Sequence, residues 1–371
     1  MKARVPENIR SIVPYPPGKP IEELEREYGV KNPIKLASNE NAWGSSPKAI
    51  EAIGEALTNL HRYPDGSNYY LVQAIAEKVG FAPNEVVVGN GSDDIIEFLV
   101  KAYVEPGDEV ITSHPSFLMY QKVVQVRGGV NIVFPLKGMH HDLDAMLEAV
   151  TDKTRLIFLD NPNNPTATAI NPGALYAFLS KVPETVIVVL DEAYRDFMDP
   201  ELQVDMYSLI HNSKERCGVV ALRTFSKAYG LAGIRVGYGL MSAEIAGYLH
   251  RVRQPFNVNQ LAQVAAIAAL NDTEFYQKTL DGTRAGMEWL QKKVETLGCT
   301  SYPSQTNFFL IDVKGDATAL YEAMLRTGVI IRSMKAYGYT NVIRVTVGTT
   351  EENYRFFHSL KNCLQELGYV S

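Results

Sequence analysis

A serine and a lysine at the end of an apolar segment are the residues of this chain best suited to covalent chemistry. Residues 217–225, CGVVALRTF, are typical of a buried strand, and Ser226 and Lys227 follow them directly. Burial favours the neutral amine of such a lysine, which can form a Schiff base with a carbonyl compound. The Ser226 hydroxyl and the guanidinium of Arg235 could hold a phosphate group on that compound. A surface lysine beside a serine is the alternative that this segment leaves open.

A second apolar segment ends in an acidic residue. Residues 185–197 read TVIVVLDEAYRDF, and their β-branched run is typical of a strand buried on both faces of a parallel sheet. Ligands of open α/β sheets bind at the carboxyl ends of such strands, which is where Asp191 lies. Asp191 could pair with a protonated ring nitrogen, and Tyr194 could reach a phenolic oxygen on the same ring. The alternative is that Asp191 only caps the next helix.

A third segment places an amide at a strand end. Residues 157–170, IFLDNPNNPTATAI, combine an apolar strand with a stiff turn of Asn and Pro. The turn would fix Asn164 where its side chain could donate to the phenolic oxygen, although an ordinary polar loop is the alternative. Pyridoxal 5'-phosphate is the compound that combines these features: a carbonyl, a phenolic oxygen, a protonated ring nitrogen and a phosphate. The sequence therefore predicts this cofactor, without a metal ion.

The order of these residues resembles that of the fold type I aminotransferases, in the class I and II superfamily. Within that superfamily the chain looks like a member of the histidinol-phosphate aminotransferase family, and the resemblance covers almost its whole length. The strand-lysine segment with Asp191 is specific for the superfamily. The other segments that carry the resemblance include IVPYPPGKP at 12–20, KLASNENAWGSSPKA at 35–49, HRYPDGSNYYLVQAIA at 61–76 and NVIRVTVGTTEEN at 341–353.

The resemblance implies further contacts with the cofactor. Ser92 and Asp93 follow VVVGNG, and their backbone amides at the start of a helix would bind the phosphate. Phe117 would stack on the ring, although an ordinary core phenylalanine is nearly as consistent with its position. Tyr63 matches a family tyrosine that reaches the cofactor phosphate of the neighbouring subunit. The resemblance therefore implies a homodimer with shared sites.

The resemblance also implies a reaction, the transfer of the amino group of L-histidinol phosphate to 2-oxoglutarate. The products would be imidazole acetol phosphate and L-glutamate, in histidine biosynthesis. Arg344 matches the superfamily arginine that clamps a substrate carboxylate, and Arg332 and Tyr15 would complete a pocket for the substrate phosphate. Solvated strand arginines and a surface tyrosine are the alternatives. Lys227 would act as base and acid at the substrate α-carbon. An aromatic amino-acid aminotransferase, a decarboxylase of a phosphorylated amino acid and a non-enzymatic binding protein are the alternatives.

These side chains need a sheet that brings several strand ends together. Apolar segments alternate with helical patterns from about residue 70 onward, which predicts an α/β fold with a mostly parallel seven-stranded sheet between helices. We expect an N-terminal arm at 1–35 that packs with the small domain and a large cofactor-binding domain at 36–260. An interdomain helix and a smaller α+β domain would occupy 261–371. The expected strands are EVVVGN, DEVITSH, VNIVFPL, RLIFLD, TVIVVLD, CGVVALR and GYGLM.

The composition is that of a soluble globular protein. The net charge of −6 gives no electrostatic support for binding nucleic acid. No apolar run approaches the ~20 residues that a membrane span needs, and the first residues lack the apolar stretch of a signal peptide. Cys217, Cys299 and Cys363 lie far apart, which favours a reducing compartment. We therefore expect a cytoplasmic protein that binds neither membrane nor nucleic acid.

Two loops contain residues whose types bear on backbone strain and on metal binding. Ala167 stands where the resembled family usually has glycine, and a positive φ there would cost alanine roughly 1 kcal/mol. We expect a small local adjustment and no loss of function. His140 and His141 lie in a loop-like segment, GMHHDLD, with no further ligand cluster nearby. We expect a solvated loop there and not a metal site.

Overall fold

The computed structural model describes residues 4–14, 19–211 and 217–370. The strands are β1 Ile34–Lys35, β2 Val86–Gly89, β3 Glu109–His114, β4 Val130–Pro135, β5 Thr154–Asp160, β6 Ile187–Asp191, β7 Gly218–Thr224, β8 Gly237–Leu240, β9 Thr300–Ser301, β10 Phe308–Asp312, β11 Val329–Ile330, β12 Arg332–Ser333 and β13 Val342–Thr346.

The helices follow the same chain order. They are α1 Glu7–Arg10, α2 Ile21–Tyr28, α3 Pro47–Ala56, α4 Tyr69–Val79, α5 Ser92–Tyr103, α6 Met119–Arg127, α7 Leu143–Glu148, α8 Pro172–Leu179, α9 Met206–His211, α10 Ala243–Val252, α11 Gln260–Leu270, α12 Thr273–Glu295, α13 Ala317–Arg326 and α14 Thr350–Glu366.

A seven-stranded sheet in the order β2-β8-β7-β6-β5-β3-β4 is the centre of the larger part of the molecule. The neighbours from β7 to β4 run parallel, and β8 is antiparallel to both β2 and β7. The Val, Ile and Leu runs of β5, β6 and β7 are almost wholly buried, because apolar cores lie on both faces of the sheet. The predicted α/β fold with a mostly parallel sheet is confirmed.

The smaller part of the molecule is built on a four-stranded antiparallel sheet. Its order is β12-β13-β10-β9, and β1 pairs in parallel with β11 beside it. Helices α13 and α14 and the second half of α12 cover this sheet. Their shared core includes Leu290, Phe309, Val345, Phe356 and Leu360. This is the α+β unit that the sequence predicted.

Helix α12 joins the two parts. Near its start, Tyr276 Oη donates to Asp196 Oδ1 at 2.7 Å, in the segment that follows β6. Further along, Met287 and Leu290 lie in the core of the smaller part. Between these contacts the indole of Trp43 presses against Gly282, where a β-carbon would have no room. The helix is therefore tied to both sheets.

The N-terminal arm contacts both parts of the molecule. The Asn8 side chain donates to the backbone oxygen of Gln125 at 2.9 Å, so α1 lies against α6 of the larger part. Leu24 of α2 is fully buried with Leu325 and Ile330 of the smaller part. Tyr15, predicted to contact the substrate phosphate, lies outside the described residues.

Two classes of feature are missing from the part of the chain that the structure describes. No helix there is long and apolar enough to cross a bilayer. No group of three or more His, Cys, Asp or Glu side chains there is arranged to hold a metal ion.

Candidate active site

A pocket of about 280 Å³ opens at the carboxyl ends of β5, β6 and β7, between the two parts of the molecule. Because β5, β6 and β7 are parallel neighbours, the segments that follow them meet at one edge of the sheet. Residues of β12 and β13 close the pocket from the smaller part. The residues predicted from the sequence that line it are Ser92, Asp93, Phe117, Asn164, Asp191, Tyr194, Ser226, Lys227, Arg235, Arg332 and Arg344.

The Lys227 amine projects across the pocket. Its Nζ donates to the backbone oxygen of Ser38 at 3.4 Å and lies 5.5 Å from the centre of the Tyr194 ring. The backbone oxygen of Lys227 accepts a hydrogen bond from the Asn41 side chain at 3.1 Å. The amine is thus held by one long hydrogen bond, while the backbone behind it is anchored. Such an amine can change partners readily.

Asp191 is the buried acid of the site, with only 6% of its surface exposed. Its Oδ2 accepts a hydrogen bond from Tyr120 Oη at 2.7 Å, and its Oδ1 accepts one from the backbone of Ala193 at 3.1 Å. Burial raises the pKa of Asp191 to about 7, and the negative charge of Asp160 adds to the effect. A cation placed next to this carboxyl group would lower the pKa again and be bound in return.

Asn164 and Tyr194 face the same region from neighbouring elements. The Asn164 backbone N–H donates to Asp160 Oδ2 at 3.0 Å, and its side-chain oxygen accepts a hydrogen bond from Arg344 Nη1. Within the described part of the chain the Asn164 amide nitrogen has no hydrogen-bond partner, so it can donate to a ligand. Tyr194 Oη accepts a hydrogen bond from Asn39 Nδ2 at 2.9 Å, which orients the phenol.

The start of α5 forms an anion cradle. Gly91 precedes the helix with φ 83°, and Ser92 begins it. A β-carbon on Gly237 would lie 2.5 Å from the Ser92 backbone nitrogen, so only glycine fits there. Arg235 Nη1 donates to Ser226 Oγ at 3.4 Å and Nη2 pairs with Asp93 Oδ2 at 2.9 Å. Helix N–H groups, a hydroxyl and a guanidinium converge, as phosphate binding requires.

Two arginines close the opposite side of the pocket. Arg332 of β12 and Arg344 of β13 are register partners in an antiparallel pair, so their side chains leave the same face of the sheet. Arg344 is only 8% exposed, donates to the backbone oxygen of Ala37 at 2.8 Å and lies 5.0 Å from the ring centre of Phe308. Two adjacent guanidinium groups favour a doubly charged anion.

Phe117 and Tyr63 occupy different surroundings. Phe117 lines the pocket and meets the edge of Tyr120 with ring centres 5.5 Å apart. Tyr63 does not line the pocket of its own chain. It is 83% exposed and stacks on Phe256 with ring centres 4.8 Å apart. A tyrosine so placed is available to another molecule.

Three polar residues of the site were not found from the sequence. Asn39 and Tyr120 orient Tyr194 and Asp191, and a buried His141 contacts Asp160. The expectation of a solvated loop was wrong for His141, because the GMHHDLD loop folds inward and buries that ring while His140 stays exposed. The position of Tyr120, three residues after Phe117 and in the first turn of α6, was the available signal.

Ala167 does adopt the left-handed conformation that its position suggested, with φ 63°. Its methyl group is 1% exposed and packs with Tyr194 and Phe308. Burying a methyl group contributes about 0.8 kcal/mol, which nearly offsets the backbone cost of roughly 1 kcal/mol. The turn thus keeps its shape without glycine.

Comparison with known proteins defines the class. Residues 31–360 match the family model for aminotransferase class I and II, so the chain belongs to that family. It is 64% identical to the histidinol-phosphate aminotransferase of Desulfotalea psychrophila, over 100% of this chain and 98% of the relative. It is 46% identical to the histidinol-phosphate aminotransferase of Moorella thermoacetica, over 96% and 92% of the two chains. Its place within the family is among the histidinol-phosphate aminotransferases.

Solved structures support the same assignment. The histidinol-phosphate aminotransferase from Sinorhizobium meliloti, in complex with pyridoxal-5'-phosphate, superposes with a TM-score of 0.90 at 29% identity, over 99% of each chain. The L-threonine-O-3-phosphate decarboxylase from Porphyromonas gingivalis has a TM-score of 0.78 at 23% identity, over 90% of this chain and 99% of that one. The second similarity is one of fold alone.

Proposed function

We propose that the protein transfers the amino group of L-histidinol phosphate to 2-oxoglutarate, in a reaction that depends on pyridoxal 5'-phosphate. The products are imidazole acetol phosphate and L-glutamate, in the pathway of histidine biosynthesis. The observation that carries the proposal is the pairing of Arg332 with Arg344 on one sheet face, in the same pocket as Lys227. Histidinol phosphate has a phosphate ester and no α-carboxylate, which suits that pair.

The residues of the pocket fit the cofactor. Lys227 would bind its carbonyl carbon, and the buried Asp191 would suit its ring nitrogen. Asn164 and Tyr194 suit its phenolic oxygen, and Phe117 lies where it can cover the ring. The phosphate would be held by the cradle of Ser92, Asp93, Ser226 and Arg235, and Arg235 would then bind the phosphate in addition to or instead of the Asp93 carboxylate. When bound, the cofactor supplies the electron sink that makes the substrate α-proton removable.

The chain's own residues then move one proton. As general base Lys227 Nζ would take the proton from the substrate α-carbon, and as general acid it would give that proton to the carbonyl carbon of the cofactor. Asp191, in contact with a cationic ring nitrogen, stays ionised because the opposite charge offsets the effect of burial. Tyr120 keeps the carboxylate oriented through its hydrogen bond of 2.7 Å.

The two arginines serve both substrates in turn. In one half-reaction they bind the phosphate of histidinol phosphate, to which Tyr15 would add a phenol. In the other they bind the dicarboxylate 2-oxoglutarate, with Arg344 clamping a carboxylate. Because the substrates share one pocket, the kinetics should be ping-pong. An aromatic amino-acid aminotransferase would use the same lysine but would gain little from Arg332.

We further propose a cytoplasmic homodimer in which Tyr63 reaches the cofactor phosphate of the neighbouring subunit. Several exposed apolar side chains support this proposal, since they suit contact with a second copy of the chain. They are Tyr63, Phe256, which stacks on it, and Leu57, Leu60, Tyr69 and Tyr70, which are near Tyr63 in the sequence. The three buried cysteines are free thiols, in keeping with a reducing compartment. The division into an arm at 1–35, a large domain at 36–260 and a final unit at 261–371 is also a proposal.

Mixed dimers test the shared site. Subunits with Tyr63→Ala should lose cofactor readily, and subunits with Lys227→Ala should not turn over. A mixed dimer has one site with both native residues, so mixing the two variants should restore turnover to about that one site. No gain over the separate variants, in a mixture shown by mass spectrometry to contain mixed dimers, would contradict the shared site.

A half-reaction tests the substrate. The yellow holoenzyme is mixed with L-histidinol phosphate or with L-phenylalanine, without acceptor, and the loss of visible absorption is followed. Much faster conversion with histidinol phosphate supports the proposal, and comparable rates would indicate an aromatic or broad-specificity aminotransferase. No conversion with either, or turnover by Lys227→Ala, would refute the proposed mechanism.

A further inference from the structure

A buried asparagine connects the smaller part of the molecule to the wall of the cofactor pocket. Asn39 is 2% exposed and has a positive φ of 56°, which asparagine adopts more readily than most residues. Its Nδ2 donates to Tyr194 Oη at 2.9 Å, and its backbone oxygen accepts a hydrogen bond from the Asn307 side chain at 3.1 Å. Tyr194 follows β6 of the larger part, whereas Asn307 precedes β10 of the smaller part. Asn39 therefore bonds to both parts at the pocket.

Thr346 on β13 fixes the direction of the Asn39 amide. The backbone N–H of Asn39 donates to Thr346 Oγ1 at 3.0 Å, and the Thr346 hydroxyl donates to Asn39 Oδ1 at 3.2 Å. Turning the amide over would place two N–H groups at the Thr346 hydroxyl and take away the acceptor of its hydrogen. That loss would fall in the interior, since Thr346 is only 3% exposed. The amide oxygen is therefore held at Thr346 and the amide nitrogen at Tyr194.

The contact with Asn39 decides where the Tyr194 hydroxyl can direct its hydrogen. An amide nitrogen donates and does not accept, so the phenol oxygen is the acceptor in this hydrogen bond. The hydroxyl hydrogen must then point elsewhere, and among the described residues it has no acceptor. Tyr194 lines the same pocket as Lys227 and Asn164. The hydrogen is therefore available to a ligand in that pocket.

A hydrogen bond to the oxygen of a phenol also makes that phenol a stronger donor. Consecutive hydrogen bonds polarise one another, so a hydroxyl that accepts one gives up its own hydrogen more readily. The proposed function places the phenolic oxygen of the cofactor at Tyr194. Asn39 would thus strengthen the hydrogen bond from Tyr194 to that oxygen. A stronger donor stabilises negative charge on the oxygen that accepts it.

We propose that Asn39 is a positioning residue that acts through Tyr194 on the charge of the cofactor's phenolic oxygen. Thr346 and Asn307 hold Asn39 from the smaller part, so this control requires the smaller part to be docked on the larger one. The inference rests on the proposed function, since that function assigns Tyr194 to the cofactor. Other titratable or charged groups reach the pocket from β5, β6, β13 and the loop after β7, and they are Asp160, Asp191, Arg344 and Lys227.

The visible absorption of the holoenzyme, titrated with pH, measures this effect. A proton bound by the cofactor beside its phenolic oxygen stabilises the same negative charge as the hydrogen bond from Tyr194. Removing that hydrogen bond favours the proton, so Tyr194→Phe should raise the pH midpoint of the absorption by roughly one to two pH units. Asn39→Gly removes only the amide, because glycine accepts the same positive φ. It should raise the midpoint by roughly half a pH unit.

A double-mutant cycle separates this role from a structural one. In the Tyr194→Phe background Asn39 has no hydroxyl to act on, so adding Asn39→Gly should cause no further shift of the midpoint. A merely structural role would shift the midpoint equally in both backgrounds, or in neither. Thr346 offers a matched pair of variants. Thr346→Val loses the hydroxyl that directs the amide and should raise the midpoint, whereas Thr346→Ser keeps the hydroxyl and should stay near the wild-type value.

The outcomes separate this inference from the proposed function. An unchanged midpoint in Asn39→Gly, or an equal rise in the wild-type and Tyr194→Phe backgrounds, would overturn the inference. The titration needs the cofactor but no amino substrate. Failure of histidinol phosphate in the half-reaction would therefore reject the proposed substrate and leave the result of the cycle standing. If Asn39→Gly does not fold, the Thr346 pair decides, and equal midpoints in Thr346→Val and Thr346→Ser would overturn the inference.

Discussion

The cofactor-free protein should become less stable as the pH rises through neutrality, and Asp191→Asn should remove most of that change. Burial raises the pKa of Asp191 from 3.8 to about 7 in the folded chain. Between about pH 5 and about pH 8 the folded protein loses a proton that the unfolded chain has already lost. The folded state binds more protons over this range, so stability falls with rising pH. A difference of one bound proton over about two pH units lowers the free energy of unfolding by about 3 kcal/mol.

Urea unfolding measures this difference. Wild type, Asp191→Asn and the exposed control Asp152→Asn are unfolded without cofactor at about pH 5 and about pH 8. Wild type and the control should lose about 3 kcal/mol more between these pH values than Asp191→Asn does. Each variant is compared with itself at the two pH values. The stability that Asp191→Asn loses with the missing hydrogen bond is present at both pH values and cancels in this comparison. An equal pH dependence in wild type and Asp191→Asn would show that Asp191 is already ionised at the lower pH, and the reasoning would fail.

Binding of the cofactor should reverse the effect of burial. A cationic ring nitrogen stabilises the ionised Asp191, so the holoenzyme should show a smaller loss of stability with rising pH than the cofactor-free protein. Asp191→Asn should bind the cofactor more weakly because it cannot supply the negative charge. Asp191 therefore lowers the stability of the cofactor-free protein at neutral pH and raises that of the holoenzyme.

Three further substitutions test other parts of the site. Arg332→Ala should lower kcat/KM for histidinol phosphate by roughly 10- to 100-fold and for phenylalanine far less, since one charge-assisted hydrogen bond contributes about 1.5–3 kcal/mol. Equal losses for the two substrates in steady-state kinetics would contradict the phosphate pocket. Gly237→Ala should lower the free energy of unfolding in urea by about 1–3 kcal/mol and weaken cofactor binding, because the new methyl group would press on the Ser92 nitrogen. Unchanged cofactor affinity would mean that this nitrogen does not contact the phosphate. Ala167→Gly should change the free energy of unfolding by less than about 1 kcal/mol, since strain relief and the lost methyl contact nearly cancel. A large increase in stability against urea would show that the methyl packing contributes little.

The sequence predicted the parts of the site that follow parallel strands. The segments before Asn164, Asp191 and Lys227 are continuous apolar runs, and parallel pairing brings the ends of such runs to one edge of the sheet. The seven-stranded sheet and the smaller α+β part followed from the same alternation of strands and helices. Arg332 and Arg344 were identified through the family resemblance, and the structure adds that they are register partners.

The contacts that orient these residues were beyond the reach of sequence patterns. Asn39 bonds to Tyr194 and to Thr346, which are far away along the chain and meet it only after both parts of the molecule have folded. Tyr120 comes from a helix and not from a strand end. The burial of His141 was not predicted because a polar, glycine-containing loop is typical of a solvated segment. In the structure the ring is held in the interior by contacts with Ser113 and Asp160.

The contact between Trp43 and Gly282 gives the protein a built-in optical probe. The chain has two tryptophans, and the second, Trp289, lies on the same helix that Trp43 presses against. Asn41, two residues before Trp43, bonds to the backbone of Lys227 and to Thr279 of that helix. A shift of the Lys227 backbone would therefore reach an indole through one hydrogen bond and the short main-chain stretch from Asn41 to Trp43. Ultraviolet emission should report on turnover in real time, without any attached dye.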